Sequence, residues 1–184
     1  MATIKLEGLV QSGMVKYFFH SPSSILPVRD VLNEQNYGCK TEPHIEKNAE
    51  NYINPCYQSN IQRFAARDAK YLFLITTCRN KELEQYNQQL VVGYIIKENI
   101  LPRPSPRGGT HLSVQGPTFL YDFSDSIVVK DIFGQSFTRP LLLSTSFVNE
   151  EKTAFILHSF TGKENIYDAC VREIKRLKRK LKKS

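Results

Sequence analysis

Apolar and polar positions along the chain fall into three zones with different periods. In the first, Gly13–His20 (Gly-Met-Val-Lys-Tyr-Phe-Phe-His) reads as an aromatic-rich strand stopped by Ser21-Pro22-Ser23-Ser24. Pro27, at a first helical position, predicts a short helix through Val28, Val31 and Leu32 that ends by Gly38. Residues 39–53 are polar and weakly periodic and predict a long loop. Asn54-Pro55 then supplies a cap and a first-turn proline for a second helix, with Tyr57, Ile61 and Phe64 on its apolar face.

The second zone is strand-like. Tyr71–Thr77 (Tyr-Leu-Phe-Leu-Ile-Thr-Thr) has the length and composition of a buried strand, and Leu90–Lys97 predicts another, with Gly93 as a bulge or close-approach point. The polar stretch Cys78–Gln89 joins them as a long hairpin loop. Leu101–Gly109, with three prolines and two glycines, is expected to be irregular because proline removes backbone donors. Short strands are expected around Thr110–Val114, Thr118–Phe123, Ile127–Phe133 and Leu141–Thr145. Glu150–Ser159 fits either strand or helix. Strands do not alternate with helices, which disfavours a doubly wound parallel sheet and favours a small, mainly antiparallel sheet or barrel.

In the third zone Ile166, Cys170, Ile174, Leu177 and Leu181 recur at spacings of four, four, three and four, one stripe of a helix. Thr161-Gly162-Lys163-Glu164 has the form of a capping box and predicts the helix start, without its hydrophobic staple because Asn165 holds that position. The division is therefore one α+β domain over 1–160 and a basic amphipathic helix over 161–184 packed on it.

Charge sharpens this picture. The 184 residues carry a formal net charge of +7, and eight of the 25 Lys and Arg lie in 171–184 beside one acid, Glu173. Residues 1–170 hold 17 basic and 17 acidic side chains and are neutral overall. A neutral body with a cationic end attracts polyanions, above all the phosphates of nucleic acid. Lys175, Arg176, Lys178, Arg179, Lys180 and Lys182 are the candidate phosphate contacts, with Arg103 and Arg107 of the Pro/Gly segment as possible additions. Deleting 172–184 is expected to weaken such binding and leave the body folded.

Other chemistry finds little footing. The motifs GxxxxGK[ST], GxGxxG, HExxH and GxSxG are absent, and no motif implies a cofactor. Cys39, His44 and Cys56 lack metal-ligand spacing, Cys78 is distant, and His20, His44, His111 and His158 are scattered. The unpatterned cysteines, the lack of a long apolar run after Lys5 and the absence of a membrane-length segment predict a reduced, cytoplasmic protein without a membrane partner. The richest remaining material is aromatic. Tyr17, Phe19, Tyr71, Tyr94 and Tyr121 are the candidates for a base-stacking pocket, although most such rings fill cores.

The pair Tyr71–Thr77 and Val91-Val92-Gly93-Tyr94-Ile95, with Leu120–Gly134 after it, resembles the central hairpin and later strands of the PUA-like superfamily, which includes EVE, ASCH and YTH domains. The resemblance covers roughly residues 13–145. It implies a small β-barrel with flanking helices that reads RNA or DNA, with a modified base held in an aromatic pocket built here without tryptophan. Two alternatives stand beside it. One is a nucleic-acid- or nucleotide-processing enzyme in which Asp122, Asp125, His111 or Lys130 converge. The other is a protein-interaction module in which Ile174, Leu177 and Leu181 meet a partner helix. Neither DNA versus RNA nor an oligomeric state follows from the residues.

Overall fold

The computed structural model describes residues 12–30, 52–53, 69–104, 110–136 and 146–181. The expected helix after Asn54-Pro55, the expected strand at Leu141–Thr145, and Cys39, His44, Cys56, Arg107 and Lys182 lie outside them.

The first strand, β1 (Gly13–Tyr17), lies beside β3 (Tyr71–Thr77), which pairs with β4 (Gln89–Ile96). Strands β7 (Thr118–Leu120) and β8 (Ile127–Val128) both pair with the outer side of β4, and β9 (Ser146–Val148) pairs with β1. The order β7-β4-β3-β1-β9 makes a six-stranded mixed sheet. Antiparallel pairing holds throughout except for β1 and β3, which run parallel. Parallel neighbours need a long crossover, and the residues between Tyr17 and Tyr71 provide its length. A second sheet, ordered β2-β6-β5, joins β2 (Tyr52–Ile53), β6 (Thr110–Gln115) and β5 (Asn99–Pro104). The fold is α+β. Among the described residues the larger sheet is open, with β7/β8 and β9 as its edges, and does not close into the expected barrel.

Both faces of the larger sheet are covered. Met14, Phe18, Leu72, Leu74, Leu90, Val92, Ile95 and Leu120 face a 15-residue helix, Tyr167–Leu181, which packs Tyr167, Cys170, Val171, Ile174 and Leu177 among them. Val15, Tyr17, Phe73, Ile75, Val91, Tyr121 and Val148 form the opposite core with the short helix α1 (Val129–Phe133) and α2 (Glu150–Ser159). The helix Tyr167–Leu181 is α3. Because side chains alternate along a strand, burial on both faces explains why Tyr71–Thr77 is apolar throughout rather than at every second position.

Gly93 keeps this arrangement in register. Leu74 pairs with Gly93 but Ile75 pairs with Val91, so β4 carries one extra residue. Before it Leu90 and Val92 face α3; after it Ile95 does, so the alternation slips by one and recovers. A Cβ at Gly93 would lie 2.1 Å from the Phe119 carbonyl oxygen, a backbone atom of β7.

Several local expectations are corrected. Pro27 lies in a bend and Arg29 forms an isolated bridge with His20, so no helix starts at Pro27; the rest of that expected helix, 31–38, lies outside the described residues. Tyr52–Ile53 is paired strand at the end of the expected 39–53 loop. Leu101–Pro104 is strand too: Pro102 and Pro104 sit two apart on edge strand β5, so both missing donors point away from β6. Phe123, expected at a strand end, opens a 3-10 turn through Asp125, and Val129–Phe133 is a helix closed by Gly134 at φ 74° where strand was expected. Glu150–Ser159 resolves as helix, with the Asn149 side chain accepting from the Lys152 amide at 3.0 Å.

Gly93→Ala is expected to cost about 3 kcal/mol, because the clash is with backbone that carries β7. Gly134→Ala meets open space and is expected to cost only the left-handed strain of about 1 kcal/mol. Urea denaturation of the two variants measures the difference.

Candidate nucleic-acid interface

The cationic segment is built upward from its attachment. Helix α2 ends at Phe160, and Thr161-Gly162 continues its exit turn, with Gly162 at φ 77° and the Lys163 amide donating to the Phe160 carbonyl at 3.2 Å. The expected capping box at Thr161 is therefore the exit of α2, not the entry of α3. Entry is controlled by Asn165. Its side-chain oxygen accepts from the Tyr167 amide at 3.1 Å and from the Leu120 amide at 3.0 Å, and its nitrogen donates to the Thr118 carbonyl at 3.3 Å. The Ile166 amide donates to the Leu120 carbonyl at 2.8 Å. One asparagine thus both turns the chain into α3 and pairs with β7.

From there the apolar stripe fixes the helix. Cys170, Val171, Ile174 and Leu177 are each no more than 3% exposed. Burying Val171, Ile174 and Leu177 contributes about 1.5–3 kcal/mol apiece. The opposite face carries Arg172, Lys175, Arg176, Arg179 and Lys180, all exposed, while Lys178 is half-buried. Arg172, Lys175 and Arg179 follow one another at three and four residues, one line on the helix. Glu173 binds Arg176 through two contacts of 2.6 Å, and that guanidinium holds its carboxyl below the usual range, with the Ser24 hydroxyl helping against burial. Among the described residues no ion pair engages Arg172, Lys175, Arg179 or Lys180, although Lys180 lies near enough to Glu173 to help lower its carboxyl. Aspartate in the first turn and cations in the last suit the helix dipole.

Arg103 lies on β5 opposite His111 rather than in a loose loop. The ring candidates separate into two groups. Tyr71, Tyr94 and Tyr121 share one cluster with Phe73, Phe119 and Phe160, in which Tyr121 stacks on Phe160 at 4.0 Å and Tyr94 on Phe119 at 4.9 Å. Burial raises the Tyr94 and Tyr121 hydroxyls above the ordinary tyrosine range, and the two are hydrogen-bonded to each other. Tyr17 is buried, donates to the Thr77 hydroxyl at 3.2 Å and meets the exposed Phe19 edge-on. The rings of the Tyr94 cluster belong to the core opposite α3, so the sheet stands between them and the cations.

Two residues of the enzyme alternative have structural tasks. The Asp122 side chain accepts from the Ser124 amide and hydroxyl at 3.2 Å, capping the 3-10 turn. Asp125 pairs with Lys163 at 3.7 Å, and the same ammonium donates to the Asp125 carbonyl at 2.6 Å. Lys130 is exposed on α1. Ile174 and Leu177 are consumed by the protein's own core, which removes them from the partner-helix alternative. Among the described residues no group of three His, Cys, Asp or Glu is placed to hold a metal ion. No described helix is long and apolar enough to cross a membrane. Cys78 and Cys170 are buried free thiols, and desolvation pushes the Cys170 thiol up to about 12.

Sequence reading missed two buried polar groups. Lys16, Arg29 and Asp30 are at most 3% exposed, and each is engaged in a polar or electrostatic contact. The signal was a lysine in the middle of an apolar strand. The second is His20, whose Nδ1 accepts from the Arg79 amide at 3.0 Å while Nε2 donates to the Leu26 carbonyl at 2.9 Å. That geometry fixes the neutral Nε2–H tautomer and ties the 21–28 strap to the β3–β4 loop. Asn80 adds a bond to the Ser24 carbonyl at 3.1 Å.

No family model matches the chain, and no curated protein or solved structure does either.

Burial, with Arg79 opposing a second positive charge, lowers the His20 pKa from 6.5 to about 4. The unfolded chain therefore binds more protons between those values. Stability contributed by the neutral ring is full above pH 6.5, declines as pH falls, and is gone below pH 4. The decline amounts to about 3 kcal/mol. Denaturant midpoints measured from pH 7 to pH 4 should fall accordingly, and His20→Gln should flatten that part of the profile.

Proposed function

We propose that this protein binds nucleic acid, with the outward face of α3 as its phosphate-contacting surface. The observation that carries the proposal is the pairing, on one helix, of a buried stripe with a face whose Arg172, Lys175, Arg179 and Lys180 have no ion pair among the described residues. A helix whose apolar side is spent in the core is a rigid mount, so its cations meet a partner with little further loss of backbone order. Arg and Lys aligned on such a mount suit phosphate oxygens, and Arg172 and Arg179 also offer paired donors.

The same arrangement argues against a membrane surface. Interfacial helices bury their apolar side in lipid, and that side of α3 faces Leu72, Leu74 and Val92 instead. A PUA-like architecture would agree with nucleic-acid binding, but the proposal does not depend on it. The base-pocket part of the sequence reading draws less support, because Tyr71, Tyr94 and Tyr121 engage neighbouring rings on the far side of the sheet.

The truncation first suggested by the charge distribution is not a clean test, since deleting 172–184 removes Ile174 and Leu177 from the core. Point substitutions are. If Arg172, Lys175, Arg179 and Lys180 each meet one phosphate, log affinity for duplex should fall with log salt at a slope of about −3.6. Lys175→Ala and Arg179→Ala should each reduce that slope by about 0.9 and weaken binding roughly five- to tenfold near 0.1 M salt. Glu173→Gln frees Arg176 and should strengthen binding. Fluorescence anisotropy across a salt series measures all three; affinities unchanged by these substitutions would remove α3 from the interface.

A further inference from the structure

We infer that the α3 face takes double-stranded nucleic acid by its phosphate backbone, without reading base sequence. The inference rests on the nucleic-acid reading above and narrows it to one class of ligand. Three features of the face point that way.

The first is what accompanies the cations. Single strands are held by basic grooves in which bases stack on aromatic side chains. Between Tyr167 and Leu181 the outward positions are Arg and Lys with Asp168, Ala169 and Glu173, and the helix's one ring, Tyr167, is 8% exposed. The Tyr94 ring cluster is in the other core, beyond the sheet. A strand seated on α3 has no ring of that cluster to stack on.

The second is charge spacing. Arg172 to Lys180 spans about 12 Å of helix axis at 1.5 Å per residue. Four cations with no ion pair among the described residues lie along that length with an average gap of about 4 Å. One strand of a duplex offers a phosphate per roughly 3.4 Å of axis and both strands together one per roughly 1.7 Å. Either density supplies every cation with a phosphate, but the duplex carries twice the charge per length and releases more counterions per contact, so the row gains more from it.

The third is shape. Five buried side chains and the Asn165 bonds to β7 hold α3 against the sheet. Sequence readers insert a helix into the major groove with Asn, Gln or Arg at base edges. The α3 outward face has neither Asn nor Gln, its arginines are interspersed with lysines in one row, and the opposite side of the helix is covered by the sheet. Such a helix suits lying across backbone rather than entering a groove.

Anisotropy with the full chain and three labelled DNA probes of equal length tests this: a duplex of about 20 base pairs, one with its sequence permuted, and one strand alone. The expected result is duplex binding at least about fivefold tighter than single-strand binding, with the permuted duplex within about threefold of the first. A smaller preference for duplex, or a larger effect of permutation, overturns the inference while leaving nucleic-acid binding in place. Absence of binding to all three probes overturns both.

Discussion

Everything that α3 offers to a partner depends on how it is fixed to the sheet. Asn165 makes three hydrogen bonds that join the helix entry to the backbone of β7, and Cys170, Val171, Ile174 and Leu177 fill the adjoining core. The apolar contribution outweighs anything the surface charges add or subtract, because exposed like charges in salt repel weakly. A helix with this many cations on one face would fray if left alone in water. Docked, it keeps them in a line.

The same packing divides the molecule. One face of the sheet serves α3 and the other serves α1, α2 and the ring cluster around Tyr94. Cations and aromatics, which the primary structure suggested as collaborators at one opening, are held apart by a layer of strands. Placement on opposite faces is decided by strand alternation, and the slip at Gly93 sets which residues of β4 face which side.

Legibility differed by element for physical reasons. β3 and β4 were readable because burial on both faces makes them continuously apolar, and Gly93 announced its bulge. The amphipathic stripe of α3 was readable because 3.6-residue periodicity is local information. The parallel pairing of β1 with β3 was not, since it depends on contacts 58 positions apart, as between Gly13 and Tyr71. Pro102 and Pro104 misled because proline forbids a central strand but not an edge whose outer side needs no donors. Thr161-Gly162-Lys163-Glu164 misled for another reason: one glycine served as the left-handed exit of α2, and that use won over the capping-box pattern. The short helix α1 follows β-branched residues that favour strand, so propensity pointed the wrong way. Of the candidate interface, the cations of α3 were found from charge alone, whereas the buried Lys16, Arg29 and Asp30 and the tautomer of His20 depend on tertiary neighbours.

Native-state hydrogen exchange of the full-length chain tests the docking of α3 most directly. If the stripe and Asn165 fix the helix, amides from Ile174 to Leu177 exchange only with the global opening that also releases β3 and β4, and Asn165→Ala speeds them. Exchange of those amides at the rate of a fraying, isolated helix, with β3 and β4 still protected, would contradict a docked α3 and with it the rigid cationic face.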